Sequence, residues 1–136
     1  GRARRARRYL SPARAAVCGG VILNEAEYPI FPKTYDLMLW LMARTVDFPK
    51  SQRFVMAKRV QDTVLTFYEL LVEARKVTAR QRGAVLLQAD VKLETLRLHL
   101  RLCHELKLLS SGQYKHSAQM VREIGKLLGT WRKGYE

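Results

Sequence analysis

Cysteine, long apolar runs and acidic residues are all scarce in this chain of 136 residues. The two cysteines, Cys18 and Cys103, are too few for a disulfide framework. Nothing therefore requires an oxidising compartment, and we expect an intracellular, cytoplasmic protein. The longest uncharged apolar run, Leu37–Ala43, is far shorter than the roughly 20 residues that cross a bilayer, which predicts no membrane partner.

The motifs of common enzymes are also missing. The sequence contains no glycine-rich phosphate loop, no nucleophile elbow and no Ser/His/Asp set, so we do not expect an enzyme. His99 and Cys103 are four residues apart, but no second pair of metal ligands exists, and Cys103 lies on an apolar stripe that favours a core position. Asp90 and Glu94 have the same spacing without a Glu-x-x-His motif, which favours surface acids. We predict neither a metal nor another cofactor.

Basic residues outnumber acidic ones about two to one. The chain has 25 lysines and arginines against 12 aspartates and glutamates, a net charge of +13. Such an excess predicts attraction to polyanions, above all nucleic acid, with steep dependence on salt. No aromatic-rich strand motif and no helix-turn-helix pattern occurs, so we expect weakly sequence-specific contacts to the phosphate backbone of a nucleic acid.

The first 20 residues carry six arginines and no acid. Their mutual repulsion, together with Ser-Pro and Gly-Gly, predicts a disordered arm. Three origins stay open for it: a nucleic-acid-binding tail, translated sequence upstream of the natural start, or a targeting leader. The following residues, as far as Lys33, include two prolines and no lasting period, which predicts an extended lead-in. We assign residues 1–31 to the arm and lead-in, and residues 32–134 to a helical bundle.

From Lys33 onward, apolar residues recur at helical spacing, and no segment alternates as a strand would. We predict four helices: from Lys33 to near Phe48, from Pro49 to Lys76, over residues 80–109, and over residues 113–131. Short turns between them predict an all-α, antiparallel up-down four-helix bundle.

The residues at the helix ends fit this division. Pro49 suits the first turn of a helix, Thr78 with Gln81 matches a capping box, and Ser110 or Ser111 with Gln113 suits the start of the last helix. The predicted inward positions are Tyr35, Met38, Leu39, Trp40, Leu41, Met42 and Val46; Val60, Val64, Phe67, Leu71 and Ala74; Leu86, Ala89, Leu93, Leu96, Leu100 and Cys103; and Met120, Ile124, Leu127 and Trp131.

Two glycines interrupt the last predicted helix. Each glycine inside a helix costs about 1 kcal/mol relative to alanine. Gly125 and Gly129 lie on one stripe, and Trp131 follows them, so we expect a neighbouring backbone to approach closely there. The alternative is that Gly129 begins a frayed C-terminus.

Basic residues cluster at several points of the predicted bundle. Arg97 and Arg101 are four residues apart and would repel each other within an isolated helix. For any one residue the alternative is a solvated face with local ion pairs, such as Lys58 with Asp62, but the total charge exceeds what such pairs neutralise. The candidate nucleic-acid- or partner-binding residues are Lys58, Arg59, Arg75, Lys76, Arg80, Arg82, Arg97, Arg101, Arg132 and Lys133.

Three stretches carry a family resemblance: "FPKSQRF" at Phe48–Phe54, "LRLCHELKLLSSGQYKH" at Leu100–His116 and "EIGKLLGTWRK" at Glu123–Lys133. Over residues 34–133 the chain resembles the bacterial four-helix-bundle family of the accessory variability determinant (Avd) of diversity-generating retroelements. The same superfamily holds proteins encoded by intervening sequences in large-subunit ribosomal RNA genes. Those relatives follow the first motif with a proline- and asparagine-containing break that ends in Glu-Gly, whereas this chain continues with "DTVLTFYELLVEAR", which favours the Avd-like branch.

The resemblance implies a non-enzymatic accessory protein that forms a basic homopentamer and binds the reverse transcriptase and template RNA of its retroelement during mutagenic cDNA synthesis. It also implies that Gly125, Gly129 and Trp131 form a packing motif of the last helix. Two alternatives stay open: a stand-alone RNA- or ribosome-associated bundle of the intervening-sequence type, and a structural module whose charge only confers solubility.

Overall fold

Helices dominate the computed structural model, which describes residues 16–18, 21–23 and 29–136. Ahead of the helices, strand β1 (Ala16–Cys18) pairs antiparallel with β2 (Val21–Leu23). We predicted no strand there, because two strands of three residues are too short to show an alternating pattern. The rest of the predicted disordered arm, with its six arginines, lies outside the described residues.

Four α-helices form the bundle: α1 (Ile30–Thr45), α2 (Lys58–Lys76), α3 (Ala79–Glu105) and α4 (Ser111–Lys133). A 3-10 turn at Lys50–Gln52 and a π-helical turn at Arg53–Ala57 lead into α2. Each helix packs against the next one along the chain, and α4 packs back against α1, which closes the bundle. The prediction of an all-α, antiparallel up-down four-helix bundle is confirmed.

Helix α1 begins earlier than the sequence indicated. Ile30 and Phe31, which we assigned to the lead-in, are helical and buried. Pro32 does not prevent this, because it lies in the first turn, where a backbone N–H has no partner within the helix. At the other end α1 stops at Thr45, before the predicted Phe48.

The inward face of α1 is also rotated by about one residue from our prediction. Tyr35, Leu39 and Val46 were expected inside but are exposed, and Met38, Trp40 and Met42 are only partly buried. The buried positions are Ile30, Phe31, Thr34, Leu37, Leu41 and Thr45. Two of them are threonines, which hydropathy does not mark, and the Thr45 hydroxyl donates to the Leu41 carbonyl at 2.8 Å.

The predicted inward stripes of α2 and α3 are confirmed at every position. The capping box at the start of α3 is wrong, since the Thr78 hydroxyl contacts the side-chain oxygen of Gln81 at 3.2 Å and caps no backbone N–H. Helix α3 also ends at Glu105 and not at residue 109. Lys107 adopts a left-handed φ of 64° there and turns the chain toward α4.

Ser110 caps helix α4, one of the two predicted N-caps, but the helix spans Ser111–Lys133 and not residues 113–131, and it buries a slightly different face. Ser110 and Gln113 form the full capping box, with N–H to oxygen distances of 3.1 and 3.0 Å. Met120 and Leu127 are only partly buried. The buried residues are Ser117, Val121, Ile124, Leu128 and Trp131.

The close backbone approach expected at both glycines of α4 does not occur. A Cβ on Gly125 would lie 3.2 Å from an Arg97 guanidinium nitrogen and 3.7 Å from a Leu93 methyl, both of which are side-chain atoms. A Cβ on Gly129 would meet no heavy atom within 4 Å. The helix nonetheless continues to Lys133, so Gly129 does not begin a frayed end either.

Candidate nucleic-acid interface

The order of the helices brings six of the ten candidate cations to one end of the bundle. Helix α2 ends at Lys76, α3 begins at Ala79 and α4 ends at Lys133, so these termini lie together in an up-down bundle. A hydrogen bond of 2.8 Å from Arg82 to the Tyr135 hydroxyl joins the start of α3 to the residues after α4. We call this region the basic end; its cations are Arg75, Lys76, Arg80, Arg82, Arg132 and Lys133.

Arg82 holds the basic end together. Its guanidinium donates to the carbonyls of Ala74 and Val77, each at 2.6 Å, as well as to Tyr135. The last carbonyls of a helix have no partner within it, so Arg82 satisfies acceptors at the end of α2. A Cβ on the neighbouring Gly83 would lie 2.9 Å from the Tyr135 carbonyl oxygen, so only glycine permits this approach. Most of the Arg82 donors are thus committed within the chain.

Arg75 is held by an aromatic cluster. Its guanidinium carbon lies 4.8 Å from the centre of the Phe31 ring, a cation–π geometry. Phe31 in turn makes edge-to-face contacts with Tyr68 and Trp131, both at 6.1 Å between ring centres. The buried Nε of Arg75 has no hydrogen-bond partner. The packing therefore fixes the position of this charge, and the two terminal guanidinium nitrogens make no hydrogen bond among residues 29–136.

Lys76, Arg80 and Lys133 are the most available cations of the basic end. All three are exposed, and none forms an ion pair with a carboxylate among residues 29–136. Arg132, by contrast, lies 3.4 Å from Asp90. A phosphate at this end would therefore meet three cations that form no ion pair among residues 29–136, beside the held guanidinium of Arg75.

The other four candidate cations lie elsewhere. Lys58 and Arg59 begin α2 at the opposite end of the bundle, and Arg97 and Arg101 lie along α3. Three of these four are paired: Lys58 with Asp62 at 2.8 Å, Arg101 with Glu105 at 3.1 Å, and Arg97 with Glu94. The ten candidates thus do not form one continuous surface.

His99 and Cys103 show no sign of a metal site. Burial, together with the charges of Arg59 and Lys92, lowers the pKa of His99. Burial raises the pKa of Cys103 to about 11, which keeps the thiol protonated and packed in the core. Within the part of the chain that the structure describes, no three His, Cys, Asp or Glu side chains are grouped to hold a metal ion.

Sequence reasoning missed two residues that organise this end. Tyr135 contacts Arg82, and Phe31 contacts Arg75, yet each is more than forty positions from its partner. A local pattern cannot show contacts across such separations.

None of the described helices is long and apolar enough to cross a membrane.

Comparison with known proteins agrees with the motifs quoted above. No curated protein matches the chain. The family described as bAvd-like matches residues 30–135, which begin with the first residue of α1 and include all four helices. The resemblance to Avd is therefore confirmed over the whole bundle, and the chain belongs to the bAvd-like family, a family of Avd-type accessory proteins.

Proposed function

We propose that this chain is a non-enzymatic accessory protein of a diversity-generating retroelement. It binds template RNA through the basic end and also binds the reverse transcriptase, during mutagenic cDNA synthesis. Family membership supports the accessory role. The observation that carries the RNA-binding part is the grouping of Lys76, Arg80 and Lys133, without carboxylate partners among residues 29–136, around the held guanidinium of Arg75.

Charge placement supports the basic end, among the described residues, as the polyanion site. Elsewhere the candidate cations are mostly paired with carboxylates, which a phosphate would have to displace. Each phosphate contact on single-stranded RNA contributes about −0.7 to the slope of log affinity against log salt. Three or four contacts for each chain therefore predict a slope of about −2 to −3, and a larger one if several chains hold one RNA.

Two triple variants test the site at equal total charge. The first is Lys76→Gln with Arg80→Gln and Lys133→Gln; the matched control is Lys58→Gln with Arg97→Gln and Arg101→Gln. Both remove three positive charges. We expect the first to lower affinity for a labelled single-stranded RNA at least 10-fold at low salt and to reduce the salt slope by about 2, measured by fluorescence anisotropy. The control should change affinity much less.

Equal losses in the two triple variants would contradict the basic end as the site, because total charge alone would then explain binding. Circular dichroism melts should show both variants folded, since none of the six residues is buried. Arg82 is left unchanged in both, because its replacement would release the carbonyls at the end of α2.

The proposed partners require separate measurements. We propose a homo-oligomer, pentameric as the Avd resemblance implies, so light scattering should give five chains of 15.7 kDa each. Co-expression with the retroelement's reverse transcriptase should recover both proteins together on an affinity column. RNA binding without capture of the reverse transcriptase would instead support the stand-alone RNA-binding alternative.

A further inference from the structure

Helix α3 has a second apolar face, on the side opposite its core stripe. Its core residues include Leu86, Leu93 and Leu100. Successive residues of an α-helix are rotated by about 100° around its axis, so residues one or two positions after a core residue point away from the bundle. We call this face the outer stripe; it consists of Leu87, Val91, Thr95, Leu98, Leu102 and Leu106.

The outer stripe is exposed. Its five large apolar side chains are between 44% and 56% accessible, and no described helix covers them. The one polar member is Thr95. Its hydroxyl donates a hydrogen bond to the Val91 carbonyl at 2.8 Å, so this donor keeps its partner when the outer stripe is covered. A continuous apolar strip on the surface of a small protein marks a contact with another molecule.

The spacing of the outer stripe reads the same in both directions. Successive members are separated by four, four, three, four and four residues, so the centre falls between Leu96 and Arg97. In an antiparallel pairing about that centre, Leu87 lies opposite Leu106 and Val91 opposite Leu102. We infer that the occupant is a second copy of this chain, whose α3 packs against the first in antiparallel orientation about a two-fold axis.

The surface shape supports this occupant. A groove of about 360 Å³ lies between α2 and α3 at one end of the outer stripe. It is lined by Thr66, Leu70, Leu87, Gln88, Val91 and Lys92. The two-fold pairing brings Leu106 of the second copy to this groove, and the same contact is repeated at the other end. Each copy therefore supplies both a projecting side chain and the cavity that receives it.

Charge along the flank of the outer stripe supports the same arrangement. The side of α3 that faces α4 carries Asp90, Glu94, Arg97 and Arg101. Antiparallel two-fold packing places this flank beside the same flank of the second copy. Glu94 then approaches Arg97 of the second copy, and Asp90 approaches Arg101, each contact occurring twice. Arg97 also lies beside its own copy at the axis, so four acid–base contacts of this flank outnumber one contact between like charges.

The size of the contact sets its expected strength. The outer stripe spans 20 residues, and its two ends lie about 28 Å apart along the helix. A single helix face of that length is smaller than the roughly 800 Å² that each partner buries in a standard interface. We therefore expect reversible pairing with a micromolar dissociation constant. The two-fold pairing joins the same surface of both copies, whereas a ring such as a pentamer joins two different surfaces of neighbouring copies. Both kinds of contact can therefore exist in one assembly.

Cysteine cross-linking tests the two-fold pairing directly, in a background with Cys18→Ser and the buried Cys103 kept. Val91→Cys in one preparation and Leu102→Cys in another should form a disulfide-linked dimer when mixed and oxidised. Neither variant should cross-link alone, because its own copy would lie about 16 Å away along the axis, beyond the roughly 7 Å Cα separation that a disulfide allows. Cross-linking of either variant with itself, or no cross-linking in the mixture, would overturn the proposal.

Disruption of the outer stripe gives an independent measurement. Val91→Lys with Leu98→Lys should weaken self-association at least 10-fold in sedimentation equilibrium. The matched control is Leu39→Lys, which also charges an exposed apolar position but lies on α1. Equal weakening in the control would overturn the pairing. RNA affinity at the basic end should stay within twofold in the stripe variant, so the failure of one proposal is distinguishable from the failure of the other.

Discussion

A single residue, Lys107, holds the turn between α3 and α4 in a conformation that costs free energy. Its φ of 64° is left-handed, where a side chain is disfavoured by about 1–2 kcal/mol. The turn nonetheless forms because the Leu108 N–H donates to the Cys103 carbonyl at 2.8 Å and the Lys107 N–H to the His104 carbonyl at 3.0 Å. This is the Schellman arrangement, which glycine favours at this position.

Lys107→Gly should therefore stabilise the protein. We expect the free energy of unfolding to rise by about 1 kcal/mol, because the strain at φ 64° is relieved while both hydrogen bonds stay. Urea denaturation measures this value. Lys107→Ala is the control, since it removes the charge and keeps Cβ; an equal gain there would show that charge and not backbone conformation is responsible.

The sequence could not predict the roles of residues that act through an unusual backbone conformation or through contacts made only after folding. We placed the end of α3 at Leu109 because Ser110, Ser111 and Gly112 carry the expected turn residues, while the true turn uses a lysine. The roles of Arg82 and Arg75 were equally hidden. Both depend on which carbonyls and rings lie nearby after folding, not on their neighbours along the chain.

At the scale of helices, apolar periodicity predicted correctly which helices form and in what order. It predicted the buried faces of α2 and α3 correctly and those of α1 and α4 only in part. Helices α2 and α3 have inner stripes with clear spacing, and every predicted position is buried. In α1 the unbroken apolar run Leu37–Ala43 fits several faces equally, so the choice depends on its partners in the bundle. The same ambiguity shifted α4, where buried Ser117 and Val121 replace Met120 as core positions.

The glycines of α4 provide a paired test at this scale. Gly129→Ala should stabilise the helix by about 1 kcal/mol in urea denaturation, because a Cβ there meets no atom within 4 Å. Gly125→Ala should give a smaller gain, since the Arg97 guanidinium nitrogen, 3.2 Å from the added Cβ, has to move aside.

Oligomeric state gives that test its second readout. A gain in stability with unchanged mass in light scattering would mean that Gly129 lies on a free surface. A loss of stability in Gly129→Ala would contradict the open space seen in one chain and would place this glycine at a contact between copies.

At the scale of the molecule, net charge was evident from the sequence but its distribution was not. Ion pairs within a helix, such as Lys58 with Asp62, can be anticipated from their spacing. Pairs between helices cannot, as Arg132 with Asp90 and Lys33 with Glu123 show. The candidate site was therefore predicted as a set of ten residues, and only the packing of helix ends separates the available cations from the paired ones.

The excess of charge should also oppose folding itself. Residues 29–136 contain 19 lysines and arginines against 10 aspartates and glutamates. Repulsion among these cations destabilises the compact state, whereas exposed ion pairs contribute at most about 1 kcal/mol each. Salt screens both the repulsion and the ion pairs, with a Debye length near 10 Å at 0.1 M. Because cations outnumber acids in residues 29–136, the relief of repulsion is the larger effect here.

Raising NaCl from 50 to 500 mM should therefore increase the melting temperature by about 4 °C, equivalent to about 1 kcal/mol, while RNA affinity falls. Circular dichroism melts measure the first effect and anisotropy the second.

A variant with Lys50→Gln, Arg53→Gln and Lys115→Gln, all exposed and away from the basic end, should gain less stability from salt because less repulsion remains to be screened. A fall in melting temperature with salt would mean that the ion pairs outweigh the repulsion. Opposite salt responses in stability and RNA affinity follow from one cause, since the charges that repel one another in the free protein are those that RNA phosphates neutralise.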